Sequence, residues 1–459
     1  MNHRISRKEF LALSALGGLG LMAGCATGPS VRRIPPDGKL RHACIGVRGM
    51  MGGTDLKSFK SHPRLEIVAI CDVDKNHLAD AGKELPDARQ YTDWREMLAK
   101  EGDKIDSVNV TVPDHMHAAI SLAFIRAGKH VYCQKPLAHD VAECRALALA
   151  AEKAGVVTQL GTQIAASMGD RLMVQWLRQR LIGKVQRVIL CSNRPGAEKY
   201  RLAGPRPAAG SPPPPELNWD LWLGTAPARP YAPNIYHPVM WRSWQDFGTG
   251  WSGDIGCHIF DATWKGLGLT APLSVVAEVH DSWRNSPARR ADTWPQSNHI
   301  TWIFPGSELT GGKELPVEWF DGDLFPPADV QKIALADPKV PEYPAESAMV
   351  IGTEGALLLP HQSMPRLFPV EKFKDVPRTI EKGPSHYHRF IDACLGSEAT
   401  ASSFPLAGPM AEAIILGTVA VRVPGQVLQW DAKHLRIPNH PEAGRLLRRA
   451  YRPGWEVKL

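Results

Sequence analysis

The 459-residue chain contains eight cysteines and no Cys-x-x-Cys pair, so neither a disulfide-stapled miniprotein nor the usual zinc module accounts for it. No apolar run reaches the roughly 18 residues of a membrane span. Only 22% of residues are charged; 54 Lys+Arg against 47 Asp+Glu give a net +7. No dense basic block interleaves with aromatic residues, so nucleic acid is not an expected partner. Collagen and heptad periods are absent, as is any internal repeat. What is present, 44% hydrophobic residues, suits two or three folded domains at roughly 100–200 residues each.

Residues 1–25 read as an export signal. Arg4, Arg7 and Lys8 precede a small-residue apolar stretch from Leu11 to Ala23. Ser6-Arg7-Lys8-x-Phe10-Leu11 resembles a twin-arginine signal whose second arginine is lysine. Leu21-Met22-Ala23-Gly24-Cys25 resembles a lipoprotein box with Cys25 as the lipidated residue. One acyl modification would tether the protein to a membrane without spanning it. The expected location is therefore periplasmic or membrane-anchored, with 26–39 as a tether. Cys44, Cys71, Cys133 and Cys191 lie in strand-like apolar runs and read as buried small hydrophobes.

Over residues 40–165, apolar strands alternate with helical segments. Strands are expected at Ala43–Val47, Leu65–Asp72, Ser107–Val112, His130–Cys133 and Val156–Leu160. Helices are expected at His117–Ala127 and Val141–Ala154, the second stopped by Gly155. Continuous apolar strands joined by helices indicate a Rossmann-type doubly wound parallel sheet. Over 166–459 the alternation ends. Asp170–Leu181 reads as a helix and Val185–Cys191 as a strand. A Pro/Gly-rich loop covers 204–216. Strands are expected at Leu273–Val279, His299–Phe304, Leu315–Phe320 and Ala348–Gly352, with helices near 255–267, 385–395 and 407–422. Strands without regular crossovers make this an α+β domain with a mostly antiparallel open sheet.

The first strand ends in Gly46-Val47-Arg48-Gly49-Met50-Met51-Gly52. Glycines here let the backbone approach a pyrophosphate at the next helix N-terminus. Asp72 ends the second strand, where a carboxylate hydrogen-bonds the adenosine ribose and disfavours a 2′-phosphate. NAD is expected rather than NADP, with Lys75 close enough to moderate the preference.

Three more segments carry chemistry: Asn109 to His117, with Thr111-Val112-Pro113-Asp114-His115-Met116-His117; Gly128 to Leu137, with Gln134-Lys135-Pro136; and Gly248 to His258. Together with the glycine loop and Asp72, these resemble the Gfo/Idh/MocA oxidoreductase family, the glucose–fructose oxidoreductase and inositol dehydrogenase relatives. Leu221-Trp222-Leu223-Gly224, Arg229-Pro230-Tyr231 and Tyr236-His237-Pro238 resemble its exported bacterial branch. The resemblance implies that the family's Glu-Lys-Pro motif falls on Gln134-Lys135-Pro136, with glutamine replacing glutamate, and its Asp-x-x-x-His on Asp254 and His258. Lys135 would then lie near the nicotinamide and the reacting hydroxyl, and His258 would be the general acid/base. The expected cofactor-binding set is Gly46, Arg48, Gly49, Met50, Gly52, Asp72, Thr111, Pro113, His117, Gln134 and Lys135, with His117 by the nicotinamide edge. A small carbohydrate substrate and a homo-oligomeric assembly are also expected.

The residues themselves suit hydride transfer. Taking a hydride from a secondary alcohol requires a group that accepts the hydroxyl proton, and histidine titrates near neutrality. A nearby ammonium stabilises developing alkoxide. Asp254 and His258 are four apart on one helix face, so the carboxylate can orient the imidazole, with Asp261 as a competitor. Six of the 14 tryptophans fall between 219 and 264. Tyr236, His237, Trp241 and Arg242 are substrate-pocket candidates beside Asp254 and His258. The pairs His115/His117 and His386/His388 lack acidic or cysteine partners at ligand spacing, so no metal is expected; His386 and His388 are expected to face the cleft or solvent. Three functions stay open: an oxidoreductase on a sugar, polyol or glycoside with tightly bound, internally recycled NAD; a redox-neutral glycoside hydrolase using bound NAD; and a non-catalytic sugar-binding lipoprotein.

Overall fold

Strands β1 (Leu40–Ile45), β2 (Leu65–Cys71), β3 (Arg89–Tyr91), β4 (Ser107–Val110), β5 (His130–Cys133) and β6 (Thr158–Leu160) form one parallel sheet in a computed structural model describing residues 31–200, 204–207 and 209–459. Cys25 and the expected export signal lie outside the described residues. The strand order is β3-β2-β1-β4-β5-β6. The helices between strands are α1 (Gly52–Lys60), α2 (Lys75–Glu84), α3 (Trp94–Glu101), α4 (His117–Arg126) and α5 (Val141–Ala154). β4 and β5 are buried along their whole length, as strands covered on both faces must be. Asp140 caps α5 by accepting from Glu143 N at 2.8 Å, and Gly155 ends it at φ 63°. The strand order reverses at β1, with β2 on one side and β4 on the other, which leaves a crevice at the carboxyl ends of β1 and β4. β4 stops at Val110, so Thr111–Pro113 belong to the turn facing that crevice.

The second sheet contains β7 (Val185–Ser192), β8 (Ser274–Val279), β9 (Asn298–Phe304), β10 (Leu315–Asp321), β11 (Glu346–Gly352), β12 (Ala356–Pro360), β13 (Arg366–Phe368) and β14 (Leu428–Gln429). Their order is β13-β12-β11-β7-β10-β9-β8-β14, and every pair is antiparallel except β7 with β10. Burial along β9 alternates, with Ile300, Trp302 and Phe304 facing the core. Helices α6 (Met168–Arg178), α7 (Trp219–Leu223) and α8 (Gly250–Leu267) follow the first sheet, and α8 packs on the second one.

Residue 165 separates the two sheets but not their cores. Helix Phe404–Arg422 packs on α5 of the first domain as well as on α8. It is long and apolar enough to cross a membrane, yet it is mostly buried inside the fold. The chain then returns to the first domain: Ala142 N donates to Leu447 O at 3.1 Å and Arg449 N to Asp140 Oδ2 at 3.1 Å.

Candidate active site

The crevice is a cleft of about 1110 Å³. Gly46 and Gly49 hold left-handed φ values of 80° and 79°. A Cβ on Gly46 would sit 2.0 Å from Thr111 O, so only glycine lets the loop pass β4; a Cβ on Gly49 would meet nothing within 4 Å, because that residue faces the open cleft. Asp72 braces the loop, accepting from Val47 N at 3.0 Å and Asp74 N at 3.0 Å, and still lines the cleft. Arg48 lines it too, but its guanidinium is engaged by Asp80 and Glu84 at 2.6 Å each. These residues fit a dinucleotide: a glycine cradle and the α1 amides for pyrophosphate, and a carboxylate for the adenosine ribose. Arg48 is thus tied to two acids, and His77 beside it in the cleft lining lies 3.6 Å from Asp72.

Lys135 lines the same cleft. Its Nζ donates to Asp254 O at 2.9 Å and forms an ion pair with Asp254 Oδ1. Arg242 Nε is 3.5 Å from Asp254 Oδ2. Burial opposes the charge on Asp254, yet Lys135 and Arg242 outweigh it and hold the carboxyl below its ordinary value. His258 lies one turn along α8, half-buried, with its ring 5.5 Å from that of His361. Burial and then the Lys135 charge push its pKa well down, so the imidazole is neutral.

The cleft is roofed by a segment from the second part of the chain. Lys75 N donates to Glu216 O at 3.0 Å and Asn218 N to Val73 O at 2.9 Å, next to Asp72. Leu221, Trp222, His237, Trp241 and Arg242 then line the cleft from this side. The C-terminal residues fasten the roof. Arg452 Nε donates to Gly224 O at 2.9 Å and its Nη2 to Asp220 O at 2.9 Å; Arg449 donates to Thr225 Oγ1 at 3.0 Å and to buried Glu143 at 2.8 Å.

Residues 40–162 match an oxidoreductase family with an NAD-binding Rossmann fold, and residues 174–294 match its C-terminal alpha/beta domain. The chain belongs to the Gfo/Idh/MocA oxidoreductase family. It is 27% identical over 206 residues to a glycosyl hydrolase family 109 protein of Shewanella pealeana, across 40% of this chain and 44% of that protein. It is 35% identical over 118 residues to D-apiose dehydrogenase of Paraburkholderia graminis, across 26% of this chain and 31% of the relative. The matches thus span less than half the length of these curated relatives. The solved structure of the WlbA dehydrogenase from Bordetella pertussis, in complex with NADH and UDP-GlcNAcA, superposes with a TM-score of 0.57 over 85% of this chain and 99% of that one. At 16% identity that likeness is one of fold.

This member of the Gfo/Idh/MocA family departs from several expectations. Asp254 does not orient His258 by a hydrogen bond; its carboxylate is taken by Lys135 and Arg242, and His258 Nδ1 is buried without a partner among the described residues. Asp261 is equally committed, to Lys265 at 2.6 Å. Neither Asp254 nor His258 lines the cleft itself; they stand next to its wall at Lys135 and Arg242. His117 is not at a nicotinamide edge. It is buried, with Nδ1 2.6 Å from Pro136 O and Nε2 2.8 Å from Val112 O, and ties the two cleft turns together. Tyr236 is not in the pocket either, because it belongs to an aromatic core with Trp219, Trp244 and Phe247. His386 faces neither cleft nor solvent: it is buried, with Nε2 2.9 Å from Leu160 O. Gly46, Gly49, Met50, Gly52, Thr111, Pro113 and Gln134 line the cleft. Sequence reasoning missed Asp55, Tyr387 and, as a site residue, Asp114. Asp55 accepts from Gln134, from Thr111 Oγ1 at 2.7 Å and from Tyr387 Oη at 2.7 Å.

Proposed function

We propose that this protein oxidises a secondary hydroxyl of a sugar, polyol or glycoside, using NAD that stays bound and is restored within each catalytic cycle. The observation that carries the reading is Lys135, paired with Asp254 one helical turn from a neutral His258 and lining the same cleft as the glycine loop and Asp72. The loop, Asp72 and the Thr111–Pro113 turn would hold NAD, which supplies a hydride acceptor when bound. Lys135 holds a positive charge toward the reacting oxygen and steadies it as the O–H bond weakens. His258, which stands next to the cleft wall at Lys135, accepts the proton by relay: the Lys135 ammonium passes one proton to the imidazole and takes the hydroxyl proton in its place. Asp254 fixes the ammonium of Lys135 in place. Retention follows from the roof, since a nucleotide beneath Leu221 and Trp222 leaves only when the contacts of Glu216, Asn218 and Arg452 yield. A nucleotide retained in this way suits an exported enzyme without a free NAD pool, so export and lipidation at Cys25 form part of the proposal.

A second reading, a redox-neutral glycoside hydrolase, is supported by the likeness to the family 109 protein, which extends over 206 residues. Purified protein incubated without added nucleotide separates the two. Appearance of the reduced-nicotinamide band with a free sugar that is oxidised, and its loss with a second sugar that is reduced, supports the oxidoreductase. Release of nitrophenol from nitrophenyl glycosides without net change in that band supports the hydrolase. Silence in both, with no nucleotide released on denaturation, overturns the proposal.

A further inference from the structure

Asp114 lies in the turn after β4, is 1% exposed, and lines the cleft beside Lys135 and Arg242. Thr249, the residue preceding α8, donates both its backbone N, at 3.2 Å, and its hydroxyl, at 3.0 Å, to Asp114 Oδ2. The other oxygen, Oδ1, is buried and receives no hydrogen bond from any described residue. The nearest cations do not supply one, because Asp254 engages both Lys135 and Arg242. An ionised oxygen buried without a donor is costly, whereas the same oxygen carrying a proton needs only an acceptor. None of the described residues provides one, and Asp114 lines the cleft.

We propose that Asp114 is a second acid of this site, donating a hydrogen bond from Oδ1 to a hydroxyl or ether oxygen of the bound sugar. The identity of the acceptor rests on the sugar-oxidoreductase reading, while the presence of the proton does not. The charged groups around it agree: burial pushes the Asp114 carboxyl up to about 7, Asp254 on α8 adds to the rise, and Arg242 and Lys135 oppose it. Two carboxylates in one site are thereby driven apart, Asp254 ionised and Asp114 holding its proton up to about pH 7.

The experiment uses the full chain with its bound nucleotide. Infrared difference spectra between wild type and Asp114→Asn are recorded from pH 5.5 to 8.5. A protonated-carboxyl band that fades as pH rises through about 7, and is absent from the variant, supports the acid; no such band at pH 5.5 overturns it. Glucose, myo-inositol and nitrophenyl N-acetylglucosaminide are then added in turn. A shift of the band with at least one of them supports the sugar acceptor, and a band indifferent to all three overturns that assignment even if turnover is seen. With a reacting probe, Asp114→Ala should raise KM about tenfold and leave nucleotide affinity unchanged. Asp114→Asn, which keeps an N–H donor, should lose the rise of KM above pH 7. A loss of nucleotide affinity in Asp114→Ala would assign the oxygen to the dinucleotide and refute the proposal. Absence of turnover with every probe counts against the oxidoreductase reading alone, because the band reports Asp114 independently.

Discussion

Gln134 Nε2 stands 2.9 and 2.8 Å from the two oxygens of Asp55, a fully buried carboxylate on α1. The amide next to Lys135 thus donates to an acid, and the family's glutamate at this position would oppose a like charge. Burial already raises the Asp55 pKa, with Gln134, Tyr387 and Thr111 working against the rise.

Gln134→Glu should therefore destabilise the fold by about 1–3 kcal/mol, since a hydrogen bond becomes a carboxylate pair that must share a proton. The folded variant then binds a proton that the unfolded chain releases, so its stability falls as pH rises from about 5 to 8. Thermal unfolding across that range checks the sign. The charge-neutral double variant Asp55→Asn/Gln134→Glu should recover most of the loss, and a double variant no better than Gln134→Glu would refute the pairing.

Lys135→Ala should lower kcat about 10²- to 10³-fold through loss of charge at the reacting oxygen. His258→Ala should lower it about 10²- to 10⁴-fold. Neither residue belongs to the glycine loop, so both variants should retain bound nucleotide, measured in the supernatant after denaturation. Near-normal turnover in His258→Ala would remove the histidine from the proton path.

Asp72→Ala should weaken nucleotide retention about tenfold or more, the scale of a lost hydrogen bond to a charged group. Arg452→Ala acts from outside the cleft: its bonds to Gly224 O and Asp220 O hold the roof. Nucleotide release from it, followed by displacement with a fluorescent analogue, should speed up about tenfold, while the first turnover keeps its rate. Equal release from wild type and Arg452→Ala would show that the roof does not retain the cofactor.

Acid should unfold this protein through its buried histidines. Burial lowers His42, His115 and His386 to about 3 and His130 to about 4. Their folded values lie below the unfolded value near 6.5, so their stability is present above 6.5 and is lost as pH falls toward 3 or 4. Each contributes up to about 1.4 kcal/mol per pH unit over that window. Melting temperature measured from pH 7 to pH 4 should fall steadily, and less steeply in His115→Gln.

The alternating domain, the glycine loop, Asp72 and Lys135 were legible because each depends on a local pattern: apolar runs, a strand-to-helix turn, a strand end, a short motif. The buried polar groups were not. Asp55, Asp114 and Tyr387 carry no periodicity, and each gains its meaning from a partner far along the chain. Arg89–Tyr91 escaped notice as a strand because Arg-Gln-Tyr has no apolar run. The Pro/Gly-rich 204–216 stretch read as a loop, but nothing local told that the chain from Glu216 onward lies against the dinucleotide cleft. Tyr236 and His237 show the same limit: they are adjacent in sequence, yet one is aromatic core and the other cleft wall.

Lys135 rises from the end of β5 in one lobe, while Asp254 sits on α8 of the other. Their ion pair thus joins the two lobes at the cleft wall. The counter-charge of the reactive lysine is therefore supplied by the opposite lobe, so the packing that joins the two halves also sets the electrostatics of the reaction site.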